Sequence, residues 1–302
     1  MSDTADRIYG LDRSAVRRSF NRASASYDQA AVLQTEVRAR LLSRLDLVTL
    51  DPRAVLDLGA GTGHASRELL RRYPRAQVIA LDLAEGMLVA SNRRQGWLRR
   101  FRRVCADALR LPLRDAAVDL VFSNLMLQWC AELHQVLAEV RRILRPGGLF
   151  TFTTFGPDTL RELRAAWQAA DEYTHVNRFI DMHDIGDALV RADLAEPVLD
   201  VERYTLTYDD VRGLMRDLKT IGAHNVNAGR ARGLTGRGRF EAMLAAYESW
   251  RSDGRLPASY EVVFGQAWGP LVARHPTSAA GEVRIPIGSI GLRRGQEGGG
   301  GQ

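Results

Sequence analysis

The sequence predicts an α/β fold, a doubly wound and mostly parallel sheet, and three observations carry that prediction. Short apolar runs recur at 54–61, 76–84, 116–125 and 147–156. Helix-patterned segments separate them, at 64–73, 85–94 and 134–144. The first run, AVLDLGAG, ends in glycines just where the next helical pattern begins. Strands that alternate with helices imply parallel βαβ units, since parallel neighbours need a long crossover.

Each element follows from its local pattern. Val32, Leu33, Val37, Leu41, Leu42 and Leu45 lie near helical spacing, so 1–50 reads as an N-terminal helical cap. The core then runs over 51–208, its fourth strand entered through the turn signal Pro146-Gly147-Gly148. DTLRELRAAWQAA (158–170) and MHDIGDALVRADL (182–194) read as helices. VLDVERYTLTY (198–208) alternates like a strand, and SYEVVFGQAW (259–268) is its expected partner. Between them, 209–256 is a helical insertion before the last strand, holding the Gly/Arg-rich AGRARGLTGRGR (228–239): a linker, a lid or a docking surface. A last strand and C-terminal extension fill 257–290, and the glycine-rich tail at 291–302 is expected to be disordered.

Bulk composition narrows the function classes. The 302 residues, 45% hydrophobic and 26% charged, suffice for a sizeable core. No window approaches the roughly 18 apolar residues of a membrane span. The N-terminus lacks a signal peptide's apolar centre, and Asp3, Asp6 and Asp12 speak against a transit peptide, so a cytoplasmic protein is expected. Net charge is +6, with arginine supplying every basic residue except Lys219. Such a surface suits an acidic partner. Neither a zinc-finger spacing nor an RRM aromatic signature points to nucleic acid. Cys105 and Cys130 have neither disulfide-framework nor metal-ligand spacing and are expected as small buried side chains; no metal is expected.

The sharpest constellation is LDLGAGTGHAS (56–66). Gly59, Gly61 and Gly63 stand between strand and helix, where a tight turn must let backbone approach a ligand. The spacing G-x-G-x-G differs from the dinucleotide fingerprint G-x-G-x-x-G, and a structural turn explains it equally well when it is taken alone. Its companions add weight. Asp57 precedes the loop and can pair with a cationic group. Asp82 ends the second strand, where a carboxylate can accept both ribose hydroxyls. Asp107 follows the next segment, at an adenine edge, and Met87 can cover the adenine face. Each acid alone reads as a cap or turn residue; in register at successive strand ends they read as one site.

LDLGAGTG, LDLAEGML, ADALRLPLRDAAVDLVFSN and RILRPGG together resemble class I S-adenosylmethionine-dependent methyltransferases, over roughly residues 50–156. The resemblance implies a Rossmann-like sheet with S-adenosyl-L-methionine as cofactor. Gly59, Gly61 and Gly63 would flank its methionine part, Asp82 would hold the ribose, Met87 would cover the adenine, and Asp107 with Ala108 would meet its amino group. FNRASASYDQAAVLQ (20–34), SNLMLQWC (123–130), FTTFGPDTLRELRAAWQA (152–169) and DLKTIGAHN (217–225) resemble the malonyl-acyl-carrier-protein O-methyltransferases of biotin synthesis. That resemblance implies methylation of the free carboxylate of a malonyl thioester on acyl-carrier protein or, as an alternative carrier, CoA.

A malonyl carboxylate arrives ionised and needs no general base. Tyr27 is expected to close over the cofactor, and Asn124, Gln128 and Trp129 to line the acceptor side of the transferable methyl. An arginine is expected to grip the carboxylate, with Arg161, Arg164 and Arg178 as candidates and Arg178 preferred. His175 is a candidate to orient the substrate. Arg230, Arg232, Arg237 and Arg239 of the insertion are expected to dock the carrier. Three other readings stay open. Complex I assembly factors linked to arginine hydroxylation share the FG-D-TL-ELR segment but carry His where this chain has Gln128. A quinone or other small-molecule methyltransferase would want a base near the methyl. A non-catalytic cofactor-binding scaffold is the third.

Overall fold

The computed structural model describes residues 11–97, 99–223, 225 and 236–271. The N-terminal residues 1–10, most of the Gly/Arg-rich stretch, the C-terminal extension beyond 271 and the tail at 291–302 lie outside the described residues.

Three helices precede the sheet: α1 (Arg13–Ala23), α2 (Tyr27–Ala30) and α3 (Val32–Arg44). Asp12 caps α1 by accepting the Ala15 N–H at 3.0 Å. The helical pattern over 11–50 therefore breaks between α1 and α2, and a single 3₁₀ turn closes it at Leu45–Leu47. The core alternates as expected: β1 (Ala54–Leu58), α4 (His64–Arg72), β2 (Gln77–Asp82), α5 (Glu85–Ser91), β3 (Arg102–Cys105), β4 (Val118–Asn124), α6 (Leu133–Ile143) and β5 (Leu144–Phe155). Then come α7 (Arg161–Gln168), α8 (Met182–Arg191), β6 (Ala195–Tyr208), α9 (Val211–Thr220), α10 (Arg237–Glu248) and β7 (Leu256–Trp268). The expected strand at 198–208 does pair antiparallel with the one at 259–268, and α9 and α10 fill the insertion between them.

The seven strands form one sheet in the order β3-β2-β1-β4-β5-β7-β6. β1 pairs in parallel with β2 and β4, β2 with β3, and β4 with β5. β7 alone runs antiparallel, between β5 and β6. The strand order reverses at β1 and β4, which opens a crevice at their carboxyl ends. Helices cover both faces, so β1 has no solvent side: Val55 joins the core cluster that holds α3 and α4, and Leu56 joins the one beneath α6 and α8. No helix among the described residues is long and apolar enough to cross a membrane.

Two expectations need correction. The sheet has a strand at 102–105 that hydrophobic patterning did not reveal. RRVC lies at the sheet edge, pairs only with β2 and is mostly exposed, so it needs no apolar run. For the same reason Cys105 is exposed, and Cys130 is only partly buried; neither is the core cysteine that its size suggested.

Close packing has one conspicuous glycine outside the loop. A Cβ on Gly265 in β7 would stand 2.2 Å from Phe152 Cζ and 2.7 Å from Leu199 Cδ2, its neighbours on β5 and β6. Phe152 in turn stacks on Phe150 at 4.7 Å. Gly265→Ala should therefore overpack the sheet and lower unfolding stability by about 1–3 kcal/mol, measured by urea denaturation.

Candidate functional site

At the carboxyl ends of β1, β2 and β4 lies a cavity of about 820 Å³, counting the space at its mouth. That is room for a nucleoside-sized ligand. Its floor is the glycine loop. Gly59 (φ +79°) adopts the left-handed conformation, and a Cβ there would stand 2.3 Å from Met126 Cγ. Gly61 (φ +52°) meets nothing within 4 Å, so its backbone is open to the cavity. Asp82 shapes the turn from β2: its carboxylate accepts the Gly61 and Ala84 N–H groups, both at 2.8 Å. Burial pushes its pKa up, and those two hydrogen bonds pull it back.

The structure sorts the residues singled out in the sequence. Gly59, Gly61, Asp82, Met87, Asp107 and Ala108 line this cavity together with Tyr27 and Trp129. Asp57, Gly63 and Asn124 stand behind its wall. Asp57 points to the α4 side of β1, is 1% exposed, and accepts the Ser66 hydroxyl. Burial raises its pKa to about 7, against the Ser66 hydrogen bond, and the nearby Asp82 charge pushes the same way as burial. Gly63 stands just before α4 and fits against Ser91, whose Cβ would lie 2.8 Å from a Cβ there. Asn124 donates to Gln34 O at 3.2 Å and accepts from Thr153 Oγ1 at 3.0 Å, tying the end of β4 to α3 and β5.

The roof is the N-terminal cap, of which the sequence reading had named only Tyr27. Arg13, Val16 and Phe20 reach the cavity from one face of α1 at i, i+3 and i+7. Arg13 forms an ion pair with Asp107, whose other oxygen accepts the Leu109 N–H at 2.9 Å. The Gly86 N–H donates to Asn21 Oδ1 at 2.7 Å, joining α1 to the start of α5. Asp28, beside Tyr27, accepts Thr62 Oγ1–H at 2.7 Å and Arg94 at 2.6 Å, which pins α2 to the glycine loop. Burial and the charges of Asp82 and Asp28 raise the Tyr27 pKa far above the usual phenol range, so its hydroxyl stays protonated.

A second cavity, of about 710 Å³, abuts the first. Phe20, Leu125 and Trp129 line both, and Phe20 meets Trp129 edge-on with ring centroids 5.1 Å apart. Beyond that wall the lining is mainly apolar, with Phe155, Leu160, Leu163, Phe179 and Leu218. Leu125 (φ +50°) and Leu160 (φ +55°) both hold left-handed backbone here, a strained state for leucine. Gln128 lines the cavity but its amide is committed: Nε2 donates to Leu125 O at 2.6 Å and Oε1 accepts Thr154 Oγ1–H at 3.2 Å. His175 stacks on Trp167 at 3.7 Å and bonds Asp171 at 2.8 Å. The candidate arginines lie elsewhere. Arg161 contacts Glu162, and Arg164 donates to Pro157 O and Thr159 O. Arg178 lines two neighbouring hollows.

Comparison with known proteins fits this geometry. A family model described as a methyltransferase domain matches residues 56–152. The malonyl-[acyl-carrier protein] O-methyltransferase of Methylovorus sp. is 58% identical over 88% of this chain and 92% of its own length. The chain belongs to that family. The malonyl-[acyl-carrier protein] O-methyltransferases of Laribacter hongkongensis (57%; 86% of this chain, 90% of that one) and Halorhodospira halophila (51%; 94% and 97%) are similarly alike. Among solved structures, the YcgJ protein of Bacillus subtilis matches with a TM-score of 0.53 at 17% identity, over 76% of this chain and 97% of that one. Phosphoethanolamine N-methyltransferase 2 of Haemonchus contortus matches at 0.52 and 17%, over 83% and 57%. At such identity the two structures share the fold, which is Rossmann-like.

The raised Asp57 pKa has a measurable consequence. The unfolded carboxyl ionises near its ordinary 3.8, the folded one only near 7. Below about pH 4 both states are protonated and nothing is lost; as pH rises to 7 the folded state holds a proton the unfolded state releases, and stability declines. Asp57→Asn keeps a carbonyl acceptor for Ser66 and removes that decline. Its melting temperature should exceed the parent's by several degrees at pH 8, and the two should converge near pH 4.

Proposed function

We propose that this methyltransferase converts the free carboxylate of a malonyl thioester, carried by acyl-carrier protein, into its methyl ester, an early step of biotin synthesis. Family membership supports the reaction, and the pair of cavities sharing one three-residue wall carries the reading in this chain. The first cavity suits S-adenosylmethionine: an acid at each of two strand ends, a buried Met87 beside them, and open backbone at Gly61. S-adenosylmethionine held by these residues would supply a methyl on a sulfonium to the carboxylate oxygen, with the carbon–sulfur electron pair left on sulfur and no proton moved.

The residues then have limited work. Asp82 holds a diol at the end of β2, and Tyr27 donates a hydrogen bond without acting as a base. Phe20, Leu125 and Trp129 exclude water where the two ligands meet, which leaves the anion poorly hydrated and aligned with its target. Asp57 places negative charge beneath the loop, where a cationic ligand would favour its ionised form. The mainly apolar cavity suits the flexible arm of a carrier more than a free dicarboxylate. Free thiols at Cys105 and Cys130 accord with action in the cytoplasm.

One observation favours a second reading. The His175–Asp171 pair in the wall of the acceptor cavity has the form of a general base, which a hydroxyl acceptor such as a quinol would need. Protein supplied with S-adenosylmethionine and malonyl-carrier protein, malonyl-CoA, malonate or a quinol separates the two. Mass spectrometry should find one added methyl on the malonyl thioester, and Asp82→Ala should reduce cofactor affinity at least about ten-fold. No methylation of any malonyl thioester by protein that binds the cofactor would sink the reading. Arg237 and Arg239 begin α10, while Arg230 and Arg232 lie outside the described residues. Charge reversal at Arg237 and Arg239 should impair use of the carrier protein more than use of CoA, and equal impairment would remove their docking role.

A further inference from the structure

Three cavities lie in series through the site. The first and second share Phe20, Leu125 and Trp129, and the second shares His175, Val176 and Phe179 with a third. Among the described residues none lines both the first and the third. The third is a hollow of about 1250 Å³, counting the open space at its mouth, between α7 and the loop that follows it. Its chemistry differs from that of the second. No arginine or lysine is among the described lining residues of the second, whereas Arg164 and Arg178 both line the third.

The two guanidiniums bring positive charge to one place. Arg164 is half-buried and donates to Pro157 O and Thr159 O, each at 2.9 Å. Those bonds use two of a guanidinium's five N–H donors and fix its plane, leaving the others for a ligand. Burial lowers the Arg164 pKa, Asp158 opposes that from beyond ion-pair distance, and the charge of Arg178 lowers it further. Like charges gathered where water is partly excluded are unfavourable until an anion joins them. The acids of the same wall are engaged or screened. Asp171 accepts the Tyr173 N–H at 3.0 Å, bonds His175 at 2.8 Å and faces Arg239 at 3.7 Å. Glu172 is exposed, where water and salt weaken its field.

The order of the cavities matches the order of groups in one kind of substrate. A malonyl thioester on its carrier is an acyl group, then a flexible arm, then a phosphate ester joining the arm to the carrier. A mainly apolar cavity followed by a hollow with two arginines repeats that order, starting from the cofactor side. Phosphate oxygens fit a guanidinium fork, and a fork already anchored to backbone loses little freedom on binding.

We propose that Arg164 and Arg178 form a binding site for the phosphate ester of the carrier's arm. The assignment rests on the malonyl reading. It gives two arginines expected from sequence to grip the carboxylate the other anion of the same substrate. That phosphate stands at the same place in acyl-carrier protein and in CoA, so the site serves either carrier.

The test uses two substrates that differ only in this group, malonyl-phosphopantetheine and malonyl-pantetheine. Each is given to the parent protein, to Arg164→Gln, to Arg178→Gln and to the double variant. The parent's kcat/KM should be at least about ten-fold higher for the phosphorylated substrate, chiefly through KM. Each single variant should lower that ratio, and the double variant should bring it close to one. Arg164 also ties α7 to the backbone before it, so should Arg164→Gln not fold, Arg178→Gln carries the comparison from an exposed side chain. A loss shared equally by both substrates keeps the ratio in place, as a structural or carboxylate-binding role would, and overturns the assignment. A parent that does not distinguish the two substrates overturns it as well. A parent that binds S-adenosylhomocysteine and methylates no malonyl thioester, on carrier protein or otherwise, would overturn the functional reading and this assignment with it.

Discussion

The edge-on contact between Phe20 and Trp129 is the constraint on which the rest of the site depends. One ring comes from the N-terminal cap and the other from the turn after β4, so two remote parts of the chain must arrive within a ring's width of each other. The hydrogen bonds around them serve that arrival. Asn21 and Asp28 fix the cap to α5 and to the glycine loop. Ser19 Oγ donates to Gly222 O at 2.9 Å and Ser26 Oγ to Thr220 O at 3.1 Å, so the end of α9 holds the cap from the other side. The insertion therefore does more than cover the acceptor cavity: it sets the position of the roof of the first.

Charge is distributed to match. Around the first cavity, acids gather under and beside the loop, and their pKa values rise because burial leaves their charge unanswered. A cationic ligand relieves that condition. The second cavity has no such field. Its lining is mainly apolar, and no arginine, lysine, aspartate or glutamate is among its described lining residues. Cation on one side and desolvated anion on the other is the arrangement in which bringing opposite charges together at a closed boundary does the most.

Much of this was legible in the sequence, for reasons that differ by region. β1, β2, β4 and β5 are largely buried on both faces, so their composition is apolar, and the ends of β1, β2 and β5 are marked by glycine or acid. β3 escaped because an exposed edge strand of four residues with two arginines has no such constraint. The acids and glycines that line the first cavity were visible because β–α turns put them at predictable strand ends. Asp57 and Gly63 carry the same signal and serve the turn from behind, a distinction that depends on which face of β1 a side chain takes. Arg13 and Phe20 gave little signal, since their place at the cavity arises from the cap meeting the strand ends in space. The arginines gave little signal for a related reason: in an arginine-rich chain, position along the sequence does not say which guanidinium is already committed, as Arg161 is to Glu162 and Arg164 to the Pro157 and Thr159 carbonyls.

Leu125 sits at the seam of both cavities with φ +50°. Glycine would relax that backbone by about 1–2 kcal/mol, but Leu125 is a buried member of the core cluster, and losing its side chain would cost more, about 2–5 kcal/mol. It would also open a passage through which water reaches both compartments. Packing and sealing thus fall on one side chain, which outweighs the backbone strain beneath it and closes the two compartments to water.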